Sequence, residues 1–302
     1  SKTFMFSGSP GRISQTECET TPAAAFSTRE SAPAAASSPQ LKAPFLPQSR
    51  SELKTAVVDY LLQSPKGDCS DCPHGPIAEW DVSRVTDMSY MFADAGSFNG
   101  DLSKWDVSSV SRMDYMFSNA RAFNGDLSKW DVSSVENMSS MFLGAKLFQD
   151  DLSKWDVSNV KDMSSMFLDA KLFSCDLSKW DVSRVKDMYG MFNSALSFKG
   201  DITKWDVSNV INMKGMFWDA VEFNSRLSKW DVSSVTDMSY MFGKTQIFNR
   251  DMVKWVVSSV TDTSFMFEAA KFFNRDISKW DMSSVTSTKG MFEGAQVFNR
   301  DI

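Results

Sequence analysis

The residues of this chain best equipped for chemistry lie in one short run, Cys69-Ser70-Asp71-Cys72-Pro73-His74. A C-x-x-C pair can serve zinc binding, thiol redox chemistry or haem attachment, and each makes further demands on the sequence. A structural zinc site needs a second pair of ligands, and the other cysteines, Cys18 and Cys175, stand alone. Haem attachment requires C-x-x-C-H, and Pro73 intervenes. What remains is a local disulfide between Cys69 and Cys72, or two free thiols in a loop. His74 is the single histidine in 302 residues, so imidazoles cannot supply an acid–base pair or a metal triad. No nucleophile elbow, Walker loop, G-x-G-x-x-G or H-E-x-x-H occurs. The chain reads as a non-enzyme with no catalytic residues, no cofactor and no metal.

The composition narrows the class further. Ten Trp, 24 Phe and 19 Met make an aromatic-rich inventory, and the formal net charge is −6. A general nucleic-acid binder needs a basic stripe to displace counterions, so nucleic acid is not an expected partner. No apolar run approaches the roughly 18 residues that a membrane helix requires.

Three regions follow along the chain. Residues 1–48 are rich in Ser, Thr, Ala and Pro without a period of 2 or 3.6, which predicts an extended low-complexity arm. Residues 49–76 hold a capping helix and the cysteine loop. Ser49 and Glu52 have capping-box spacing, Leu53, Ala56, Val57, Tyr60 and Leu61 form one apolar face, and Pro65 and Gly67 stop the helix. Residues 77–302 are an array of repeats. Trp recurs at 80, 105, 130, 155, 180, 205, 230, 255 and 280, and a Met-Phe pair recurs from Met91-Phe92 to Met291-Phe292, with no insertion or deletion. A fixed period of 25 is the mark of a solenoid of about nine stacked coils.

One coil, Leu102 to Asp126, stands for the rest. Leu102-x-x-Trp105-x-Val107 has the spacing of a leucine-rich-repeat strand, with Trp105 and Val107 inward and Lys104, Asp106 and Ser108 outward. Met113, Met116, Phe117 and Ala120 fall at i, i+3, i+4 and i+7, which predicts a short helix on the return side. The expectation is an α/β solenoid with one short parallel strand and one short helix per coil. Trp105, Trp130, Trp155, Trp180, Trp205 and Trp230 are then core residues rather than a stacking platform for sugars or bases. Outward columns of Lys, from Lys104 to Lys279, and Asp, from Asp81 to Asp281, stand side by side. Asp ladders can supply calcium with oxygen ligands, but neighbouring Lys competes and no G-G-x-G-x-D pattern is present, so these columns read as structural.

The unit, as in LSKWDVSSVTDMSYMF at 227–242, resembles the 25-residue repeat of the BspA-like leucine-rich-repeat surface proteins, the PARCEL repeat of mycoplasmas. The resemblance spans about residues 50–302, including Gly75-Pro76-Ile77-Ala78-Glu79-Trp80-Asp81-Val82-Ser83. It implies binding or scaffolding rather than catalysis. The chain departs from the lipoprotein members in having no lipoprotein cysteine near Ser1 and no anchor at its end.

Two functions of different class fit these observations. One is a structural subunit that binds other protein subunits within a larger assembly, a membrane-embedded partner included. The other is a surface adhesin for a host, matrix or glycan ligand. Two features tilt toward the subunit. The array breaks off at Asp301-Ile302 without a polar cap, and residues 1–50 carry five basic against three acidic residues, as in an organelle-directed leader more than a secretory one. An organelle (plastid) complex and the cell surface are the corresponding settings. On the expected helix, Leu143, Leu147, Leu168, Leu172, Trp218, Ile247, Phe265, Phe272 and Val297 fall on the solvent side, as do Tyr90 and Tyr115. That predicts a docking face centred on Leu143, Leu168 and Trp218. The competing expectation is that the helix ends early and these residues tuck into the next turn.

Overall fold

In a computed structural model, residues 44–300 are described. Helix α1, Arg50–Gln63, follows the capping signal: the Ser49 hydroxyl accepts from the N–H of Glu52 at 3.2 Å. The Glu52 carboxylate reaches back to the N–H of Gln48 at 2.8 Å. Leu53, Ala56, Val57 and Tyr60 are buried under it. A single 3-10 turn, Ile77–Glu79, leads into the array. Residues 44–48, assigned to the arm by composition, belong to this folded unit. The Phe45 ring stacks on His74 at 4.0 Å and meets Trp80 edge-on at 5.1 Å. Its carbonyl accepts from the N–H of Asp81 at 2.9 Å. The rest of the arm, residues 1–43, and Cys18 lie outside the described residues.

The described residues 77–300 form nine coils in register, coil one beginning at Ile77 and each later one 25 residues on. Isolated parallel bridges join each coil to the next, from Asp87↔Arg112 to Asp262↔Ser287. The expected division into strand and helix is not what the backbone does. No α-helix or extended strand occurs in the described coils. The stretch expected to be helical is a run of four-residue turns: Met91 N–H donates to Met88 O, Ala93 to Tyr90 O, Ala95 to Phe92 O. The third residue of the first and last of these, Tyr90 and Asp94, is left-handed, at φ 58° and 61°, the geometry type II turns use. The same two positions are left-handed in all nine coils.

The physical reason is where the N–H groups point. In an α-helix each would bond four residues back within the segment. Here the N–H groups of Met88, Tyr90, Phe92 and Asp94 donate forward to the carbonyls of Arg112, Asp114, Met116 and Ser118, at 2.7–3.0 Å. Four such forward bonds cross every boundary, while one, as from Ser111 N–H to Thr86 O, runs back at each, with a second at some boundaries. Turns with an i, i+3, i+4, i+7 rhythm bury the same side chains a helix would. Met113, Met116, Phe117 and Ala120 are all fully buried.

The opposite side is also built from turns, Leu102–Trp105 and Val107–Val110, closed by hydrogen bonds of 3.0 and 2.9 Å. Its inter-coil bonds come from side chains. Each indole from Trp105 to Trp280 donates to a carbonyl of the preceding coil, Trp105 to Ile77 at 2.9 Å and Trp155 to Leu127 at 3.0 Å. The core between the two sides is two Phe columns. Phe117 lies 5.6 Å from Phe142, and Phe123 lies 6.1 Å from Phe148, with planes within 9° of parallel.

Candidate interaction face

Because coils stack in register, every residue type is read as a column nine positions long, and surface chemistry follows from which columns are uniform. The Asp columns are uniform for a local reason. The Asp81 carboxylate accepts from both the N–H and the hydroxyl of Ser83, at 3.1 and 2.6 Å, and Asp126 does the same with Ser128. Such Asx turns cap the backbone two residues on. These hydrogen bonds hold the Asp81 and Asp126 carboxyls below the ordinary range, the serine hydroxyl contributing most. A third column, from Asp87 to Asp262 with Asn137 and Asn212 among its members, caps in the same way except at Arg112, which donates to Asp114 instead. The carboxylates are thus engaged by their own turns rather than by the Lys column. Among the described residues no Lys of the column from Lys104 to Lys279 lies within 4.0 Å of a carboxylate.

The cysteine loop sits beside α1. Cys69 and Cys72 are joined in a disulfide, and the Tyr60 hydroxyl donates to Cys69 O at 3.1 Å. His74 is taken up by its stack on Phe45. Cys175 is a buried free thiol, and burial pushes its pKa up to about 12, so it is inert as a nucleophile. No group of three His, Cys, Asp or Glu side chains stands where it could hold a metal ion among the described residues.

The apolar residues read as a single helix face separate into three columns, because there is no helix. Leu143, Leu168 and Trp218 share one column and are half-buried. The Trp218 ring lies over Gly243 of the next coil, where a Cβ would meet it at 2.8 Å, and Lys244 Nζ stands 4.3 Å from the ring centre. Its buried indole N–H has no partner. Phe265 belongs to the left-handed column and is also half-buried, stacked on Tyr240 at 4.9 Å. Tyr90 and Tyr115, earlier in that column, stack at 4.6 Å. Leu147, Leu172, Ile247, Phe272 and Val297 form the third column, and they are exposed, each between 39% and 49% accessible, as is Tyr90 at the start of the left-handed column. The exposed stripe is therefore centred on Leu147–Leu172 and on Ile247–Phe272–Val297, two patches parted by Ser197 and Glu222. The centre expected at Leu143, Leu168 and Trp218 shifts, because these residues close four-residue turns and are half-buried, Leu168 and Trp218 against Gly190 and Gly243 of the next coil.

The left-handed columns, which reasoning from hydrophobic spacing passes over, were marked in the sequence. One reads Asp94, Asn119, Gly144, Asp169, Ser194, Asp219, Lys244, Ala269, Gly294. Residues that tolerate positive φ dominate it. The indole bonds had no sequence signal beyond the strict recurrence of Trp where Phe or Leu would fill similar space.

No helix among the described residues is long and apolar enough to cross a membrane. No curated protein matches the chain. A family described as "Mycoplasma protein of unknown function, DUF285" matches at residues 73–142, 125–227 and 197–302. Those overlapping matches cover the nine coils end to end, and the chain belongs to this family of Mycoplasma and BspA-like repeat proteins.

Proposed function

We infer that this protein is a non-enzymatic scaffold that binds another protein along its exposed apolar column. The carrying observation is that column: Leu147 and Leu172 in adjacent coils, then Ile247, Phe272 and Val297 in three adjacent coils, all accessible while the neighbouring Phe148, Phe173, Phe248 and Phe273 are buried. Apolar side chains aligned at coil spacing present a continuous strip, and such strips are sites of protein contact more than isolated exposed residues are. The Lys and Asp columns repeat nearly unchanged and so carry little information about one partner. The apolar column varies from coil to coil and carries more.

The test places a photo-crosslinking residue at 172 or 272, and at Lys129 as a control, in the protein expressed in its own cells. A discrete protein adduct at 172 and 272, absent at 129 and lost when Leu147 is changed to Glu, supports the scaffold reading. Equal labelling at all three positions, or adducts made only with glycans, overturns it.

A further inference from the structure

One turn edge of the array is negative over five coils, turns positive at coil six and is balanced in the next two. In coils one to five its last two positions are Gly100-Asp101, Gly125-Asp126, Asp150-Asp151, Cys175-Asp176 and Gly200-Asp201. In coils six to eight they become Ser225-Arg226, Arg250-Asp251 and Arg275-Asp276. Two of the arginines are held in place. Arg250 Nε donates to Asn224 O at 2.8 Å, and Arg275 Nε donates to Asn249 O at 2.9 Å, each reaching back one coil. Nε makes the anchor, and the terminal nitrogens of Arg250 and Arg275 have no protein hydrogen-bond partner among the described residues. Neither these arginines nor Arg226 has a carboxylate within 4.0 Å among the described residues. They enclose a surface cavity of about 190 Å³, lined also by Ser228, Asn249 and Asp251. Asp251 Oδ1 is engaged by the N–H of Val253 at 2.9 Å. Three guanidinium charges against one carboxylate leave the lining at +2, in a chain whose net charge is −6.

We propose that this cavity binds a tetrahedral oxyanion, a phosphate or sulfate group, between Arg226, Arg250 and Arg275. Guanidinium forks bond such groups in bidentate fashion, and the two forks fixed in advance, Arg250 and Arg275, lose less freedom on binding than lysines would. The ordinary structural use of arginine, pairing with a carboxylate, is not what these three do. The site is separate from the apolar column, so its failure would leave the scaffold reading untouched.

The experiment follows the arginine Nε–Hε resonances of the full chain during titration with sodium phosphate and sodium sulfate, against sodium chloride at matched ionic strength. The expected result is saturable shifts at Arg250 and Arg275 with phosphate or sulfate only, weakened about tenfold or more by Arg226→Gln. Arg226 holds no backbone carbonyl, so this variant spares the anchors. Arg121→Gln, in another column, should leave the titration unchanged. Glucose 6-phosphate and glucose 6-sulfate, titrated beside glucose, distinguish an esterified group from a free ion. Shifts that match chloride, or that are indifferent to Arg226→Gln, overturn the proposal.

Discussion

The indole bonds allow one replacement that changes a single hydrogen and little else. Substituting β-(3-benzothienyl)alanine for Trp155 keeps the bicyclic shape and removes the N–H that donates to Leu127 O at 3.0 Å. The Leu127 carbonyl also accepts from the N–H of Trp130 at 3.0 Å, so it is not orphaned. The cost is therefore the net worth of one hydrogen bond, about 1 kcal/mol, and not the larger penalty of an unsatisfied buried acceptor. Trp155→Ala would cost more, about 3–5 kcal/mol, because it also empties the core. Trp218 supplies an internal control. Its indole N–H is buried without a partner, so the same replacement there should cost nothing. Eight boundaries each carry one indole bond. Replacing those eight Trp together should then remove about 8 kcal/mol, comparable to the whole stability of an ordinary domain. Urea unfolding followed by circular dichroism reads each case. A protein substituted at all eight with an unchanged midpoint, or equal losses at 155 and 218, would refute the assignment of the indoles as inter-coil bonds.

Ala269 is left-handed at φ 49°, so Ala269→Gly should raise stability by about 0.5–1 kcal/mol in urea unfolding; a helix there would give a loss of similar size. Lys54 Nζ donates to Tyr90 O and Met91 O at 2.6 and 3.0 Å, so Lys54→Met should destabilise coil one by about 1–3 kcal/mol, seen as faster hydrogen exchange in residues 85–100 with residues 155–250 unchanged. Serine hydrogen bonds hold the carboxyls of Asp81, Asp131, Asp181, Asp231 and Asp281 below their ordinary value. A depressed folded pKa gives stability that is complete above the unfolded value of about 3.9 and is lost as pH falls through the folded value. The urea midpoint should thus be level near neutrality and fall below about pH 4; replacing these serines with Ala should flatten the fall, and a fall of undiminished steepness would count against the serine hydroxyls as its source. Burial raises Asp150 and Asp219, so Asp219→Asn should stabilise the protein at pH 7 and do so less at pH 4.

The periodicity of Trp, Phe and Met disclosed the array, its register and its core, because burial depends only on which positions recur. It did not disclose the backbone. Met113, Met116, Phe117 and Ala120 satisfy a helix and a run of four-residue turns equally well, since both return a side chain to the core every three or four residues. Gly144, Gly190, Gly215, Gly290 and Gly294, with Asp94 and Asn119, argued for positive φ, and hydrophobic spacing is blind to that. The candidate face was legible as a set of apolar residues and illegible as a geometry. Assigning angles of 100° per residue merged Leu143 with Leu147, although the first is half-buried at the close of a turn and the second faces solvent. Arg226 was visible only as a gap in an Asp column; its meaning needed Arg250 and Arg275 brought beside it by the stack.

The forward ladder has an electrical consequence. Peptide units bonded head to tail sum their dipoles, as along an α-helix, where each contributes about 3.5 D. Here four bonds at each boundary point toward the last coil against one or two pointing back, so the array is a polarised rod of stacked turns, its negative pole at coil one. Arg50, which donates to Ser89 O at 2.8 Å, and Lys54 stand at that pole. Helix α1 therefore closes the core with its apolar face and sets its cations against the rod's negative pole, and coils added at the far end move the opposite pole away without enlarging the one those cations meet.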